Sequence, residues 1–214
     1  MNIFLELISV IFPEYCLSCG ASGSVLCYKC GTTLPSGYSP DGKIIVALDY
    51  GDKRVKRAVW LLKYRNKRPL AKIFAERLYE ILLEELSELA LTKNFIRPLI
   101  VPMPISGKRF RRRGYNQAEL IAEELLILLG KNSAELNKNA LKKSRHTESQ
   151  VITKNRRERL ENLRDSFIAD ENIVRGKNII LLDDVITTGA TMSEARRALK
   201  DAGAKNILCV AVAH

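Results

Sequence analysis

Residues 181–191 read LLDDVITTGAT. Four apolar residues, Ile179 to Leu182, run into two carboxylates, Asp183 and Asp184. An apolar run this dense suits a parallel strand buried on both faces. A loop of Thr187, Thr188, Gly189, Ala190 and Thr191 follows, and a helix is then predicted to begin. Thr191 and Glu194 have the spacing of a capping box. The loop offers backbone N–H groups, hydroxyl donors and a helix N-terminus at one point, a combination that suits a phosphate. The aspartates fall at the carboxyl edge of the strand, where open α/β sheets bind ligands. They can accept hydrogen bonds from sugar hydroxyls and attract a magnesium ion bridging a polyphosphate. Adjacent aspartates at a strand end are costly unless paired or solvated, which argues against a purely structural strand and turn.

The same pattern recurs upstream. Residues 99–103 are a second apolar run that ends in Pro102, Met103 and Pro104. The basic tract Lys108, Arg109, Phe110, Arg111, Arg112, Arg113 comes next. Asn116 and Glu119 are placed to cap a helix running to Gly130. Strand, loop and helix occurring twice argue for βαβ units and a parallel sheet. The strand-end loop beside the first is the place for a pyrophosphate. Residues 44–50 supply another strand. Between 52 and 65, Val55, Val59 and Leu62 have helical spacing, and Trp60 reads as a core residue or a stacking platform, with the core preferred. Pro69 opens a long helix to about residue 91, with Leu70, Ile73, Phe74, Leu78, Ile81 and Leu82 as its stripe. Cys209, in the apolar run 207–213, reads as a buried strand residue. Residues 145–167 are polar and basic, and read equally as a mobile lid and as a surface loop. His146 has no partner histidine nearby, so neither a catalytic dyad nor a metal site is supported there, and His214 carries no predicted role.

Four of the five cysteines form Cys16-x-x-Cys19 and Cys27-x-x-Cys30, each pair followed directly by a glycine. Two such knuckles complete a tetrahedral Cys₄ zinc site. Gly20 and Gly31 are expected to allow the tight turns. With all four positions filled by thiolates, the metal would be structural, holding a segment too short for its own core. Disulfides are disfavoured in the absence of an export signal. Residues 1–12 are apolar, with Ile3, Phe4, Leu7, Ile8 and Ile11 at helical spacing, but lack a basic n-region and a cleavage site. They predict a short amphipathic helix against the cysteine module, in preference to membrane contact. Residues 31–43 hold Gly31, Pro35, Gly37, Pro40 and Gly42 and read as a linker. The expected division is therefore a module at 1–40 and an α/β domain at 44–214.

The 214 residues carry a net charge of +11, with 46% hydrophobic content. That supports one substantial core with a small appendage. The charge is clustered: segments 52–72, 108–113 and 138–164 hold 23 Lys/Arg and 4 acids, leaving the remainder at −8. Clustering of this kind points to a polyanionic ligand, either nucleic acid or pyrophosphate. Lys63, Arg111, Arg112, Arg113 and Arg145 are candidates to neutralise nucleic-acid phosphates, and Trp60, Tyr64, Phe110 or Tyr115 to stack on bases. No apolar stretch approaches the ~18 residues of a membrane span.

The segment LLDDVITTGAT resembles the phosphoribosyl pyrophosphate (PRPP) signature of type I phosphoribosyltransferases. That resemblance implies that Asp183 and Asp184 hold the ribose and steady charge developing on it, and that Thr187, Thr188, Gly189, Ala190 and Thr191 hold the 5′-phosphate. It further implies that the loop carrying Pro102, Met103, Pro104, Lys108 and Arg109 receives pyrophosphate, with Mg²⁺ accompanying PRPP. The order of parts is similar to that of the ComF family, which includes the GntX-like proteins. The matching features are Phe12-Pro13, the four cysteines, Lys63-Tyr64, VPMP at 101–104, RRGYNQ at 112–117, R-x-T-x-x-Q at 145–150 and LLDDVITTGAT. One departure is a spacing from Gln150 to Arg159 about a residue longer than the family pattern, within the tolerance of a loop. The family resemblance implies a PRPP-binding domain behind a zinc finger, with a role in natural competence. Its partners would be imported single-stranded DNA and DNA-uptake proteins, on the cytoplasmic side or peripheral to the inner membrane. The alternative is an active cytosolic phosphoribosyltransferase that moves ribose-5-phosphate to an acceptor and has no DNA role. No residues that specify such an acceptor are identifiable.

Overall fold

The computed structural model describes residues 13–39, 42–144 and 166–214. The apolar run before the two aspartates forms β6 (Asn178–Val185), the middle strand of a five-stranded parallel sheet. The order is β1 (Ile44–Leu48), β7 (Asn206–Ala213), β6, β2 (Leu99–Pro102), β3 (Glu135–Leu136). Ile179 to Leu182 are fully buried, as a strand covered on both faces requires. Pro102 lies opposite Leu182, so β2 ends one residue short of the level of Asp183. The loops after β2 and β6 therefore leave the same sheet edge side by side. Met103 extends the contact, its N–H donating to the Leu182 carbonyl at 2.8 Å. From here the chain diverges: β6 is followed by β7 on one side, and β2 by β3 on the other. Divergence of this kind opens a crevice at the carboxyl ends of the two strands.

Helices cover the sheet. α2 (Lys53–Tyr64) is capped by Asp52, whose carboxylate accepts from the Arg54 N–H at 2.6 Å and the Val55 N–H at 3.4 Å. It buries Val55, Ala58, Val59 and Leu62. Trp60, expected in the core, is 37% exposed. It follows Val59 by one residue, and a step of about 100° carries it off the apolar stripe. α3 (Leu70–Lys93) buries Leu70, Phe74, Leu78 and Leu82, leaving Ile73 and Ile81 half-buried. It packs against α5 (Gln117–Leu129), and both rest on the sheet. α7 (Ala190–Asp201) joins β6 to β7 and packs on β7.

A small antiparallel pair, β4 (Leu141–Lys143) with β5 (Phe167–Ala169), is tied by the Ser144 N–H donating to the Ser166 carbonyl at 2.8 Å. α6 (Glu171–Val174), capped by Asp170, leads from β5 into β6. Residues 145–165, with Arg145, His146 and most of the expected lid, lie outside the described residues, as do residues 1–12 with the expected amphipathic helix.

The stretch expected as a plain linker does more than connect. It begins inside α1 (Tyr28–Thr32) and then runs along the outer edge of β1. The Gly37 N–H donates to the Ala47 carbonyl at 3.1 Å, and the Asp49 N–H to the Pro35 carbonyl at 3.0 Å. A Cβ at position 37 would stand 2.4 Å from the Leu48 carbonyl oxygen, so the approach requires glycine. The segment covers part of an otherwise free strand edge. Among the described residues, no helix is long and apolar enough to cross a membrane.

Candidate functional site

Asp183 and Asp184 directly follow the buried part of β6 and are partly buried at the crevice. The Asp184 carboxylate pairs with Lys63 Nζ at 3.0 Å, and both side chains are largely buried. Asp183 Oδ1 accepts the Asp184 N–H at 2.8 Å. Burial first, and the Asp184 charge second, push the Asp183 carboxyl up to about 7, against the opposing pull of that N–H, Lys63 and Lys143. A cation, or a set of hydroxyl donors, bound against the pair favours the charged form of Asp183.

The loop after β6 differs from the expected capping box. The helix starts at Ala190, one residue before Thr191, and its N-cap is Gly189, in the left-handed region at φ +70. Glu194 pairs instead with Arg197, at 2.7 Å. Gly189 has no side chain with which to satisfy the first-turn N–H groups, and the nearest hydroxyl contact, Ala190 N–H to Thr188 Oγ1, is a long 3.5 Å. The end of the helix is thus left more open to an anion than a threonine cap would leave it. His214 bears on the loop from β7, with Nε2 at 2.8 Å from the Thr187 carbonyl oxygen.

Around the acids lies a cleft of about 290 Å³. Its β6 side is lined by Asp183, Asp184 and residues 187–191. Its β2 side is lined by Met103, Pro104 and Arg109. Pro102 is buried in β2, and Lys108 lies outside the lining. The basic tract is a short helix, α4 (Gly107–Arg113), begun by Ser106 and ended by Gly114 at φ +77. Asn116 ties loop and helix together: Oδ1 accepts the Ala118 N–H at 3.1 Å, while Nδ2 donates to the Met103 carbonyl at 2.9 Å.

Two of the residues expected on nucleic acid turn toward this cleft. Lys63 meets Asp184, and Arg113 donates to Gln117 Oε1 at 2.6 Å and to the Tyr64 hydroxyl at 3.1 Å. Gln117 is 1% exposed and lines the cleft, yet its Nε2 has no partner among the described residues. A buried, unpaired amide donor is worth about 1–3 kcal/mol to satisfy, so it marks a place for an acceptor. Lys143, from β4, also lines the cleft. The sequence assigned no role to Gln117, Lys143 or His214. Only the RRGYNQ run singled out the neighbourhood of Gln117. The cleft thus brings carboxylate acceptors together with open N–H groups from the loop after β6, and with cations and an amide donor from other elements.

Outside it, α2 and α4 present a basic aromatic face. The Trp60 and Tyr64 rings lie 6.1 Å apart. Arg57 and Arg65 lie over Trp60 at 4.8 and 5.3 Å, and Arg112 and Arg113 over Tyr64 at 5.2 and 4.9 Å. The hydrogen bond from Arg113 is the chief reason the Tyr64 hydroxyl titrates below its ordinary range. Lys63, Tyr64 and Arg113 also line a second hollow of about 330 Å³, with Arg65 and Arg112. Phe110 and Arg111 are exposed on α4. Tyr115, expected to stack on bases, is buried instead, its hydroxyl donating to the Leu62 carbonyl.

In the amino-terminal module, the sulfurs of Cys16, Cys19, Cys27 and Cys30 all lie within 4.8 Å of one another, and none forms a disulfide. Cys19 and Cys27 Sγ are 3.7 Å apart. A tetrahedron with Zn–S bonds of 2.3 Å has edges of ~3.8 Å, so the spacing fits zinc. Burial opposes ionisation of Cys16, but backbone N–H groups of Cys19, Cys27 and Ser18 outweigh it and hold the thiol down to about 6. At Cys27 the pull of the Cys30 backbone N–H is outweighed by the side chains of Cys30, Cys16 and Cys19 together with burial, which push the thiol up to about 11. Without a metal the four sulfurs therefore do not all ionise. Gly20 takes the expected left-handed turn, at φ +73. Gly31 does not: it sits in α1, where its missing side chain allows close packing on Ile73.

Residues 111–214 match the Phosphoribosyl transferase domain. The chain is 30% identical over 208 residues to Competence protein F of Haemophilus influenzae, covering 92% of this chain and 82% of that protein. It is 26% identical over 202 residues to DNA utilization protein YhgH of Escherichia coli O157:H7, covering 90% and 85%. It is 34% identical over 142 residues to Competence protein ComFC of Streptococcus pneumoniae, covering 64% of this chain and 53% of that protein. The first relationship spans most of both proteins, and the cysteine cluster and the parallel sheet with its carboxylate-ended central strand are in place. This chain therefore belongs to the Competence protein F (ComF) family, with a phosphoribosyltransferase domain and a cysteine cluster that could hold zinc.

Proposed function

We propose that the cleft binds PRPP with a magnesium ion, and that the protein serves natural competence by handling imported single-stranded DNA. One observation carries the ligand assignment: the acid pair lines one cleft with two separate sets of anion donors, the loop at 187–191 and the group of Arg109, Lys143 and Gln117. PRPP has the complementary groups, with hydroxyls in the middle and phosphates at both ends. Asp183 and Asp184 would accept from the ribose hydroxyls, and residues 187–191 would hold the 5′-phosphate at the open start of α7. Arg109, Lys143 and the unpaired Gln117 amide would hold the pyrophosphate. Magnesium, when bound, would neutralise charge between the carboxylates and the pyrophosphate oxygens. The competence role rests on the relatives, whose names are Competence protein F, ComFC and DNA utilization protein. The basic aromatic face supports a DNA role over an acceptor-directed enzyme without one.

Isothermal titration with PRPP and magnesium tests the cleft. The Asp183→Ala/Asp184→Ala double variant is expected to lose at least about 100-fold in affinity, the scale of two lost charge-assisted contacts. Undiminished binding in the double variant rejects the site. Release of pyrophosphate on adding candidate bases would establish an acceptor-directed activity.

A further inference from the structure

We propose that a single-stranded nucleic acid stacks its bases on the Trp60–Tyr64 face, and that this site and the PRPP cleft oppose each other through a shared wall. The linkage rests on the PRPP reading of the cleft; the stacking site does not. Trp60 and Tyr64 are exposed aromatics one helical turn apart on α2, within base-stacking reach of one strand. Base–aromatic stacking of this kind tolerates any sequence. The guanidiniums of Arg57, Arg65 and Arg112 lie over these rings and have no carboxylate partner among the described residues. Cations parked on π faces without counter-ions are placed to swing onto backbone phosphates. The face has no acid within α2 itself, whose sequence from 53 to 64 is KRVKRAVWLLKY. That charge balance selects a polyanion with planar bases over a protein surface.

The shared wall consists of Lys63, Tyr64 and Arg113, which line both the PRPP cleft and the outer hollow. Arg113 is already committed to Gln117 and Tyr64. A pyrophosphate inside the cleft draws Arg113 and Lys63 inward, whereas a strand phosphate outside draws them the other way. Two anions competing for the same cations, and repelling each other across them, give negative coupling. By linkage each weakens the other by the same factor.

The chain has a single tryptophan, so Trp60 fluorescence reports on the site directly. Oligo-dT is expected to quench Trp60, while an abasic oligonucleotide of equal length binds without quenching. Anisotropy of labelled oligo-dT should show binding about tenfold weaker in Trp60→Ala and Arg57→Ala, with PRPP affinity unchanged, since neither residue lines the cleft. Saturating PRPP and magnesium should weaken oligo-dT binding at least about fivefold, and saturating oligo-dT should weaken PRPP by the same factor. Equal quenching by the abasic strand, or none by oligo-dT, overturns the stacking site. Oligo-dT affinity indifferent to bound PRPP overturns the linkage. PRPP failing to bind the DNA-free protein sinks the cleft assignment and the linkage together, and leaves the stacking result standing.

Discussion

Asp183 is held where its charge is least welcome. In the unfolded chain it titrates near 3.8, and in the fold near 7. Between those values the native state keeps a proton that the unfolded state has released. Stability therefore falls as pH rises from about 4 to about 7, and levels off above that. Asp183→Asn removes the effect. Its melting temperature should match the wild type near pH 4 and exceed it at pH 8, by a margin worth roughly 1–3 kcal/mol. A variant less stable than wild type at pH 8 would show that the carboxylate is needed structurally. Asp184 is different, because Lys63 neutralises it at 3.0 Å. Removing Lys63 would leave two carboxylates facing each other, an arrangement more costly than either charge alone. Gln117 shows the same tension in neutral form, with an amide donor buried and unpaired at the cleft wall.

At the scale of elements, short segments are positioned by what they lean on. The five-residue helix α1 is too short to be stable alone. It is held by the cysteine cluster and by packing of Val25, Leu26 and Leu34 into the main core. Lys67 pairs with Glu14 at 2.6 Å, and Arg54 donates to the Thr33 carbonyl at 3.2 Å, which ties the module to α2 and to the start of α3. Metal analysis of the purified protein should find one zinc per chain. Chelation, or Cys27→Ser, should raise amide exchange across residues 14–34 while the strands β6 and β7 remain protected. Exchange unchanged after complete metal loss would show that packing alone holds the module. The loop after β2 owes its shape to Asn116 in a comparable way, since one side chain caps α5 and grips the Met103 carbonyl.

For the whole molecule, charge placement matters more than net charge. Two of the three basic segments, 52–72 and 108–113, carry fourteen Lys/Arg and one acid and flank the cleft and the outer face, while the chain outside the three segments is negative. Such a field concentrates polyanions at one surface. Each phosphate neutralised on a single strand contributes about 0.7 to the slope of log K against log salt. The Arg57→Ala/Arg65→Ala/Arg112→Ala variant should therefore bind oligo-dT with a slope shallower by about 2. A slope equal to wild type would place the strand elsewhere on the molecule.

Much of this was legible in the chain itself. Parallel strands, the carboxylates at the end of one, the knuckle spacing and the Asn116 cap follow from patterns a few residues long, because apolar runs, metal ligands and caps act locally. The helix boundary at Gly189, against the expected Thr191, is a local matter too, settled by glycine's access to positive φ. Other features depended on the tertiary structure. Lys63 reaches Asp184 from 121 positions away, His214 touches the Thr187 loop, and Lys143 joins the cleft from β4. Nothing in a neighbouring residue encodes those meetings. They arise because two adjacent parallel strands end at one sheet edge and send their chains in opposite directions, leaving between them a space that distant side chains fill.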